Sequence, residues 1–516
     1  MCRGTSVDCS FKMVLTRRRF LVRAAAAGGA SLLYEAMTGL GLLAAPSQTR
    51  FELSGRVSNV RVLILGGGLA GLTTAYELGK VGYDCRVLEA RTRPGGRVFT
   101  VRRGTVSEED GSSQTAAFDE GLYFNAGPMR ISHHHQTTLA YCRELQVPVE
   151  VFVADSESAY LYQTRSSTLK GQRVRLREAR ADFDGYIAEF LSKSLSQTQL
   201  DQPLTLEDRE KLLAYLRRLG ALDQQRQYRG SPRRSGYEER SAPIALRDLL
   251  GANYDFYLGI DWDSQPTMMQ VAGGMDRLPA ALATRLGNRV VYRANVRELR
   301  QGERGVWVMY ADASGQMRRA DADYLVTTIP LPVLSGIQKD ISQPVQSAIA
   351  ASSYDGAGKI GLQFKRRFWE EDDQIYGGRS WTDQEIGQII YPAHGFTGRK
   401  GILVGYFLDF ARTMRERPPA ERQRLALEQG ALIHPQYSNE FEAAFSVSWP
   451  RVPWNRGSWR SESPKALEAL AALRQPDGRV HFAGDYMTNQ SSWMNGAFES
   501  AREVSMALHS RVVARA

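Results

Sequence analysis

The chain has 516 residues, of which 43% are hydrophobic and 24% charged, and its formal net charge is +10 at pH 7. This balance excludes an intrinsically disordered, collagen-like or coiled-coil protein, and at roughly 150 residues per domain the length predicts two to four domains. The four cysteines are too few for a disulfide scaffold, and none has zinc-ligand spacing. Residues 1–45 hold six basic and two acidic side chains, so much of the charge excess is local and does not indicate a nucleic-acid partner.

Residues 1–45 are predicted to be a twin-arginine export signal. Three consecutive arginines and Phe-Leu at residues 17–21 precede a stretch rich in Ala, Gly and Leu that ends in small residues. A basic segment, an apolar segment and a small-residue end are typical of a secretory signal, and the arginine pair is typical of the twin-arginine type. Arg23 and Glu35 interrupt the apolar run, so it does not reach the ~20 residues of a membrane span. We therefore expect a periplasmic or secreted protein that the twin-arginine translocase exports.

A dinucleotide-binding pattern begins near residue 60. Residues 60–65 form a short apolar run typical of a buried parallel strand, and Gly-Gly-Gly-Leu-Ala-Gly follows before a helical pattern. Gly66 permits a tight turn, Gly68 lets the backbone approach a pyrophosphate, and Gly71 allows close packing of a helix whose N-terminus faces the phosphates. A second strand ends at Glu89, where an acidic residue can accept hydrogen bonds from ribose hydroxyls.

The segment after this unit indicates a flavin. Residues 89–97 read Glu-Ala-Arg-Thr-Arg-Pro-Gly-Gly-Arg, and here the chain resembles the flavin-containing amine oxidase superfamily, which includes L-amino-acid oxidases and monoamine and polyamine oxidases. In that family the second glycine pair and its arginine close over the pyrophosphate. Together with the glycine pattern, the resemblance implies that FAD is bound by Gly66, Gly68, Leu69, Ala70, Gly71, Glu89, Ala90, Arg91, Gly96, Arg97, Gly127, Pro128, Met129, Arg130, Val296, Gly484, Asp485, Trp493, Gly496 and Ala497.

Downstream segments resemble the same family in the same order. A strand predicted over residues 290–299 contains Val296, at the position whose backbone holds the adenine. Asp485 would bond to the ribityl chain, and a helix N-terminus near Ala497 would face the N1/O2 edge of the flavin. A helix dipole at that edge stabilises the negative charge of reduced flavin. The matching segments are residues 272–279, 324–330, 481–485 and 493–497.

The segment Gly-Pro-Met-Arg at residues 127–130 indicates whether the substrate carries a carboxylate. In L-amino-acid oxidases the arginine of this string holds the substrate carboxylate over the flavin, whereas an amine substrate has no carboxylate to hold. A planar guanidinium matches a carboxylate through two parallel hydrogen bonds. The resemblance therefore implies that Arg130 is a carboxylate clamp. The alternative is an arginine buried by a structural ion pair.

The resemblance implies further substrate-site residues. Lys359, at the start of a predicted strand, occupies the place of the lysine that holds a water near flavin N5, and Tyr406 matches the tyrosine that donates to the substrate carboxylate. Trp493 and Trp459 are candidate aromatic walls. Lys359, Arg130, Tyr406 and Trp493 are the predicted catalytic residues. The flavin-linking cysteine of monoamine oxidases is absent from residues 456–460, which implies non-covalent FAD.

Histidines give no general base. His133, His134 and His135 stand together without a carboxylate pair nearby, so we expect an exposed loop and no metal site. Some relatives use a histidine in a helical insertion as a base, but residues 136–393 contain no histidine.

The expected fold class is α/β. A discontinuous Rossmann-like FAD-binding domain of the GR2 type would consist of residues 58–130, 265–335 and 475–512. Residues 131–264 would form a helical insertion that contributes to the substrate domain, with helix predicted over 165–245. Residues 336–474 would form the α+β substrate-binding domain. The oligomeric state stays open, a homodimer included.

The implied function is that of an exported L-amino-acid oxidase. Such an enzyme transfers the Cα hydride of an L-amino acid to flavin N5. The imino acid is hydrolysed to a 2-oxo acid and ammonia, and dioxygen reoxidises the flavin to give hydrogen peroxide. One alternative is a monoamine or polyamine oxidase, against which Arg130 argues. Others are an amide-forming, tryptophan-type 2-monooxygenase and an FAD-binding protein without amine chemistry.

Overall fold

Five parallel strands from three separate parts of the chain form one sheet. The computed structural model describes residues 51–166, 169–196, 204–235, 242–252, 262–408, 412–461 and 464–514, so the predicted signal at residues 1–45 lies outside the described residues. The central strand Arg61–Leu65 pairs in parallel with a neighbour on each side, and four of its five residues are buried. In order across the sheet the strands are Val290–Val291, Asp84–Leu88, Arg61–Leu65, Tyr324–Thr327 and Val480–Phe482.

Alternate residues of the central strand enter two hydrophobic cores, as expected for a parallel sheet covered on both faces. Val62 and Ile64 pack with residues of four helices, Leu69–Lys80, Gln136–Glu144, Arg277–Leu286 and Met494–Val513. Leu63 and Leu65 pack on the opposite face with the helices Gln343–Ala351 and Pro464–Leu473 and with part of a second sheet.

The second sheet has four strands. One of them begins inside residues 290–299, which were predicted to form a single strand. Residues 290–299 do not form one strand: Val290–Val291 ends the parallel sheet and Asn295–Gln301 belongs to the four-stranded sheet. Between them Arg293 has a φ of +54°, a left-handed conformation that turns the chain and that few non-glycine residues adopt. The strand order of this sheet is Met317–Ala322, Val306–Ala311, Asn295–Gln301 and Gln338–Lys339.

A seven-stranded sheet forms the second large part of the described chain. Its strand Gly358–Phe364 is buried at every residue and pairs antiparallel with a strand on each side. The strands Tyr160–Tyr162 and Arg173–Arg175, from the segment predicted as a helical insertion, lie at one edge. The full order is Phe441–Ser448, Gly358–Phe364, Gly401–Phe407, Gln388–Ile390, Arg379–Thr382, Tyr160–Tyr162 and Arg173–Arg175.

The segment predicted as a helical insertion is helical over much of its described length. Thr205 begins one helix with a capping box, because its hydroxyl accepts from the Asp208 backbone N–H while the Asp208 carboxylate accepts from that of Thr205. Three short strands form a separate sheet, in the order Ile131–Ser132, Met268–Val271 and Val149–Phe152. The helices are Gln136–Glu144, Leu176–Ser196, Leu206–Leu219, Pro232–Ser235 and Leu246–Gly251.

The predicted α/β class is confirmed. Among the described helices, none combines the length and the apolar character needed to cross a membrane. The remaining helices are Leu331–Ser335, Phe368–Glu371, Arg412–Glu416, Pro419–Ala431 and Tyr437–Glu440, and the 3-10 turns are Trp262–Ser264, Gly287–Arg289, Trp449–Arg451 and Asp485–Met487. Two two-stranded sheets pair Thr100–Val101 with Phe124–Asn125 and Tyr354–Asp355 with Trp459–Arg460.

Candidate active site

A cavity of about 700 Å³ extends from the parallel sheet to the seven-stranded sheet. At one end it is lined by residues that directly follow parallel strands, namely Gly66, Glu89 and Thr328. Ligands of parallel α/β sheets bind in this position, beyond the carboxyl ends of the strands. The far end is lined by strand residues of the seven-stranded sheet, including Lys359 and Tyr406.

Most of the predicted site residues line this one cavity. Two predicted cofactor residues, Gly71 and Gly496, do not line it. A Cβ at Gly71 would lie 2.0 Å from the Gly66 carbonyl oxygen, and one at Gly496 would lie 2.4 Å from Thr488 Oγ1, so both glycines permit close packing beside the cavity. The predicted residues that line it are Gly66, Gly68, Leu69, Ala70, Glu89, Ala90, Arg91, Gly96, Arg97, Gly127, Pro128, Met129, Arg130, Val296, Lys359, Tyr406, Trp459, Gly484, Asp485, Trp493 and Ala497.

Two glycine turns meet at the start of the first helix. Gly66 has a φ of +106°, and a Cβ there would lie 2.6 Å from Thr328 Oγ1. The Gly95 N–H donates to the Gly67 carbonyl at 2.8 Å, which brings the second glycine pair against the first. Gly68 precedes the helix Leu69–Lys80 without a side-chain cap, and a Cβ on it would meet no heavy atom within 4 Å. The uncapped N–H groups and the open space fit a phosphate group at this helix N-terminus.

Glu89 has a fixed position at the end of its strand. Its two carboxylate oxygens accept from the backbone N–H groups of Gly67 at 2.6 Å and Arg91 at 2.8 Å. The Arg91 guanidinium in turn donates to Glu108 at 2.7 Å and to the Asn455 side chain at 2.5 Å. Glu89 therefore offers a fixed acceptor for a ribose, while Arg91 is held by its ion pair with Glu108.

A partly buried ion pair joins Arg97, which follows the second glycine pair, to Asp485, which lies near the C-terminal end of the chain. Arg97 donates to the carboxylate of Asp485 and, at 2.5 Å, to the Ser458 carbonyl oxygen. Both charged residues line the cavity. The helix Met494–Val513 begins close by after Trp493, again without a side-chain cap, so a second helix N-terminus adjoins the same cavity.

Lys359 is buried in the seven-stranded sheet, with 4% of its surface exposed. Its Nζ donates to the carbonyl oxygens of Asn125 at 3.1 Å and Gly127 at 2.5 Å and lies 5.0 Å from the centre of the Tyr406 ring. Burial, together with the positive charge of Arg130, lowers the pKa of Lys359 to about 7. A lysine in this position can gain or lose a proton near neutral pH.

Arg130 lies at the same end of the cavity. Its guanidinium carbon is 5.2 Å from the centre of the Trp493 ring, and its Nη2 is 3.4 Å from Ser264 Oγ. Tyr406 lines the same cavity end. Burial raises the pKa of Tyr406 and the charge of Arg130 opposes that rise, so the tyrosine keeps its proton as a hydrogen-bond donor.

Trp459 and the neighbouring Ser458 both form hydrogen bonds with other residues of the protein. Trp459 lines the cavity while its Nε1 donates to Asp355 at 3.1 Å. Ser458 lies in the segment 456–460, and its buried hydroxyl accepts from the Ala357 backbone N–H at 2.7 Å.

The histidine triplet is not on an exposed loop, so that expectation is wrong. His135 is buried, and His133 and His134 are half-buried. Asp263, 128 residues beyond His135, supplies the carboxylate that the neighbouring sequence lacks: its Oδ1 lies 3.0 Å from His134 Nε2 and 3.2 Å from His135 Nε2. These three residues could hold a metal ion, since their ligand atoms lie within 4.8 Å of one another, but the absence of a metal stays a prediction.

Several residues of the seven-stranded sheet that line the cavity were not predicted from the sequence. Arg379 and Trp381 alternate along the strand Arg379–Thr382, and Gln388 begins the adjacent strand. The alternation of a charged and an aromatic residue in a short strand was the available signal. It could not show which face of the sheet lines the cavity.

Glycine turns at the ends of parallel strands and two uncapped helix N-termini beside one cavity fit a cofactor that carries a pyrophosphate. Residues 69–509 match the family described as flavin containing amine oxidoreductase, and the chain belongs to this family. The predicted family and the predicted cofactor, FAD, are therefore confirmed.

The chain is similar over most of its length to several known proteins. It is 29% identical over 468 residues to YobN of Bacillus subtilis (strain 168), a protein provisionally named an L-amino-acid oxidase, with 86% of this chain and 93% of that protein covered. It is 27% identical over 473 residues to the L-amino acid oxidase bordonein-L of Crotalus durissus terrificus, with 86% and 87% covered. A solved structure of a putrescine oxidase shares the fold, with a TM-score of 0.60, 20% identity, and 89% of this chain and 100% of that chain covered.

Proposed function

We propose that this protein is an exported FAD-dependent L-amino-acid oxidase that converts an L-amino acid, dioxygen and water into a 2-oxo acid, ammonia and hydrogen peroxide. The observation that carries the proposal is the position of Arg130, whose guanidinium lies above the Trp493 ring in the cavity that Lys359 and Tyr406 also line. A substrate carboxylate would be held by a cation in this place, whereas an amine substrate has no carboxylate to hold. The named L-amino-acid oxidases among its relatives support the same assignment.

The described residues fit FAD along the length of the cavity. The uncapped turn at Gly68 would hold the pyrophosphate, and Glu89 would accept from the adenosine ribose. Asp485 would accept from the ribityl chain, and the second helix N-terminus near Ala497 would face the flavin ring. When bound, FAD supplies the two-electron acceptor for the Cα hydride and the site of reoxidation by dioxygen.

Arg130 and Tyr406 would bind and orient the substrate. Two guanidinium N–H groups and the tyrosine hydroxyl would donate to the α-carboxylate, which fixes the substrate Cα in one orientation. Trp493 would form an aromatic wall that excludes water and favours a nearby amine through cation–π attraction. Trp459 would form a second wall.

Lys359 would accept a proton close to the reacting atoms when its amine is neutral. With a pKa of about 7, its Nζ is largely neutral above that pH and can then accept a proton, directly or through a water. Its hydrogen bonds to the carbonyls of Asn125 and Gly127 fix the position of this group. We assign no residue as the direct acceptor of the substrate ammonium proton.

The organisation of the chain is part of this proposal. Residues 58–130, 265–335 and 475–512 would form the FAD-binding domain, residues 131–264 an insertion, and residues 336–474 the substrate-binding domain. The parallel sheet supports this division because its strands come from all three FAD-binding segments. Residues 1–45 would direct twin-arginine export to the periplasm or the medium.

Peroxide release tests the proposed activity. The FAD-loaded enzyme is incubated with each of the twenty amino acids and with the amines that lack only their carboxylates. We expect peroxide and a 2-oxo acid from at least one L-amino acid and little from its amine. Turnover of amines in preference to amino acids would instead identify an amine oxidase, and an amide product would identify a monooxygenase.

A further inference from the structure

The buried histidine of the triplet contacts an aromatic side chain of the cavity. His135 is 1% exposed and does not line the cavity itself. Its ring centre lies 4.8 Å from that of Trp493, with 72° between the two ring planes, which is the edge-to-face arrangement that aromatic rings favour. The Arg130 guanidinium carbon lies 5.2 Å from the centre of the same Trp493 ring. The Trp493 ring therefore contacts both the histidine and the cation proposed to hold the substrate carboxylate.

Asp263 fixes the orientation of the His135 ring. Its Oδ1 lies 3.2 Å from His135 Nε2 and 3.0 Å from His134 Nε2. Burial opposes the ionisation of Asp263, but the hydrogen bonds and charges of the two histidines outweigh this effect and lower the pKa of its carboxyl group. Burial also lowers the pKa of His135, so near neutral pH its neutral ring donates from Nε2 to a carboxylate. A hydrogen bond to an ionised acceptor is strong and directional, and it sets the plane of the imidazole.

The same turn of the chain leads back to Arg130. Ser264 directly follows Asp263, is buried and lines the cavity, and its Oγ lies 3.4 Å from Arg130 Nη2. The backbone carbonyl of Asp263 accepts from the Ser132 hydroxyl, which holds this turn against the start of the histidine triplet. The contacts therefore form a closed ring that consists of Arg130, Trp493, His135, Asp263 and Ser264.

Two helices hold this ring of contacts in place. Thr138 lies in the first turn of the helix that begins after His135, and Asn495 lies in the first turn of the helix that begins after Trp493. Asn495 Oδ1 accepts from both the backbone N–H and the hydroxyl of Thr138, each at 3.1 Å. Both of these side chains are buried. The separation between His135 and Trp493 is therefore fixed by a direct bond between the helices that they precede.

We infer that His135 and Asp263 are positioning residues for Arg130. Asp263 orients the His135 imidazole, and His135 holds the Trp493 ring against the guanidinium. This inference rests on the proposed function, in which Arg130 binds the substrate α-carboxylate. Neither of the two residues lines the cavity, so they act through Trp493 and Ser264. A guanidinium matches a carboxylate through two parallel hydrogen bonds only in one orientation, so loss of this support should weaken the recognition of a carboxylate.

The test compares two ligands of the same shape and different charge. Benzoate and benzamide are titrated into the FAD-loaded enzyme and followed by the flavin absorbance, and neither can be oxidised as an amino acid. We expect the native enzyme to bind benzoate more tightly. His135→Ala should reduce this preference about 10-fold, less than the roughly 10²–10³ expected for removal of Arg130 itself. A general loosening of the cavity would weaken the binding of both ligands alike and leave the preference unchanged.

Conservative variants separate the two contacts of the imidazole. His135→Phe keeps an aromatic edge for Trp493 without the bond to Asp263, so it should recover part of the preference for benzoate. Asp263→Asn keeps the size of a half-buried side chain and replaces the ionised acceptor with a weaker one, so it tests the inference without leaving a cavity. Its preference should lie between those of the native enzyme and His135→Ala.

The matched control is His434→Ala. His434 is also a buried histidine with a carboxylate partner, since its Nδ1 lies 2.9 Å from Asp373, and its ring stacks on that of Tyr437. It does not line the cavity, and neither of these two partners does. We expect this variant to lower the melting temperature and to keep the native preference for benzoate.

The outcomes distinguish the inference from the proposed function. An unchanged preference in folded, FAD-loaded His135→Ala and Asp263→Asn, or an equal loss in the His434→Ala control, would overturn the inference and leave the proposed function standing. If no amino acid releases peroxide but the preference falls as expected, the positioning role stands while the proposed oxidase function fails. A native enzyme that binds the two ligands equally would contradict both the carboxylate clamp and the residues inferred to position it.

Discussion

Replacing Arg130 tests the assignment of the substrate class. The Arg130→Met variant removes the charge and the planar fork but keeps much of the length of the side chain. In the native enzyme the guanidinium is half-buried between Trp493 and Ser264. If the α-carboxylate binds there, the variant leaves a carboxylate in a cavity without its main donor.

The size of the effect follows from this burial. Loss of one partner of a partly desolvated charge pair costs about 3–4 kcal/mol. At about 1.4 kcal/mol per tenfold change in rate, kcat/KM for amino acids should fall by roughly 10²–10³. The Arg130→Lys variant keeps the charge and should fall between native and Met. Because Arg130 also lowers the pKa of Lys359, the comparison is made at several pH values on both sides of about 7.

The discriminating assay uses the amine that lacks only the carboxylate of the best amino-acid substrate. This amine should be poor with the native enzyme and should lose little further in Arg130→Met, since it has no carboxylate to leave unpaired. Arg304→Met, in the exposed turn after the strand Asn295–Gln301, serves as the control and should behave as the native protein. Equal losses for amine and amino acid, with FAD still bound, would show that Arg130 is structural and would favour an amine oxidase.

Three further predictions follow from the site and the signal. FAD should be released on acid precipitation, because residues 456–460 contain no cysteine that could link it; yellow colour that stays with the pellet would contradict this. Changing both Arg17 and Arg18 to lysine should leave active, uncleaved protein in the cytoplasm, and unchanged export would show that residues 1–45 do not act as a twin-arginine signal. Native kcat/KM should rise with pH through about 7 as Lys359 becomes neutral. That ionisation should disappear in Lys359→Met, and its persistence would assign it to another group.

Much of the cofactor end could be predicted from sequence because it depends on local patterns. The turn at Gly66, the approach at Gly68 and the acidic end of the next strand all lie within one βαβ unit, where spacing alone fixes their relation. The partners of charged residues are different. Arg91 could be recognised as a cation near the cofactor, but its pairing with Glu108 depends on how a later loop folds back.

Two expectations failed for reasons that lie outside local patterns. The strand predicted over residues 290–299 is broken at Arg293, which has a left-handed φ. This conformation is rare for a non-glycine residue, so the residue type gave no indication of the break. The histidine triplet was expected to be exposed because no carboxylate pair is near it in sequence. Asp263 meets His134 and His135 only because the turn Trp262–Ser264 returns to them after about 130 residues.

At the end of the cavity lined by the seven-stranded sheet, the positions of the side chains depend on the register of the strands. Register is set by long-range pairing, so it could not be predicted from the local sequence. Lys359 and Tyr406 could be assigned by resemblance, yet they meet only because the strands that carry them pair at those two positions. A shift of one residue in either strand would turn one side chain to the opposite face. The same register brings Gln388 beside Tyr406 and places Arg379 on the cavity face. One pairing pattern therefore positions both the buried lysine and the tyrosine that would donate to the α-carboxylate at the same end of the cavity.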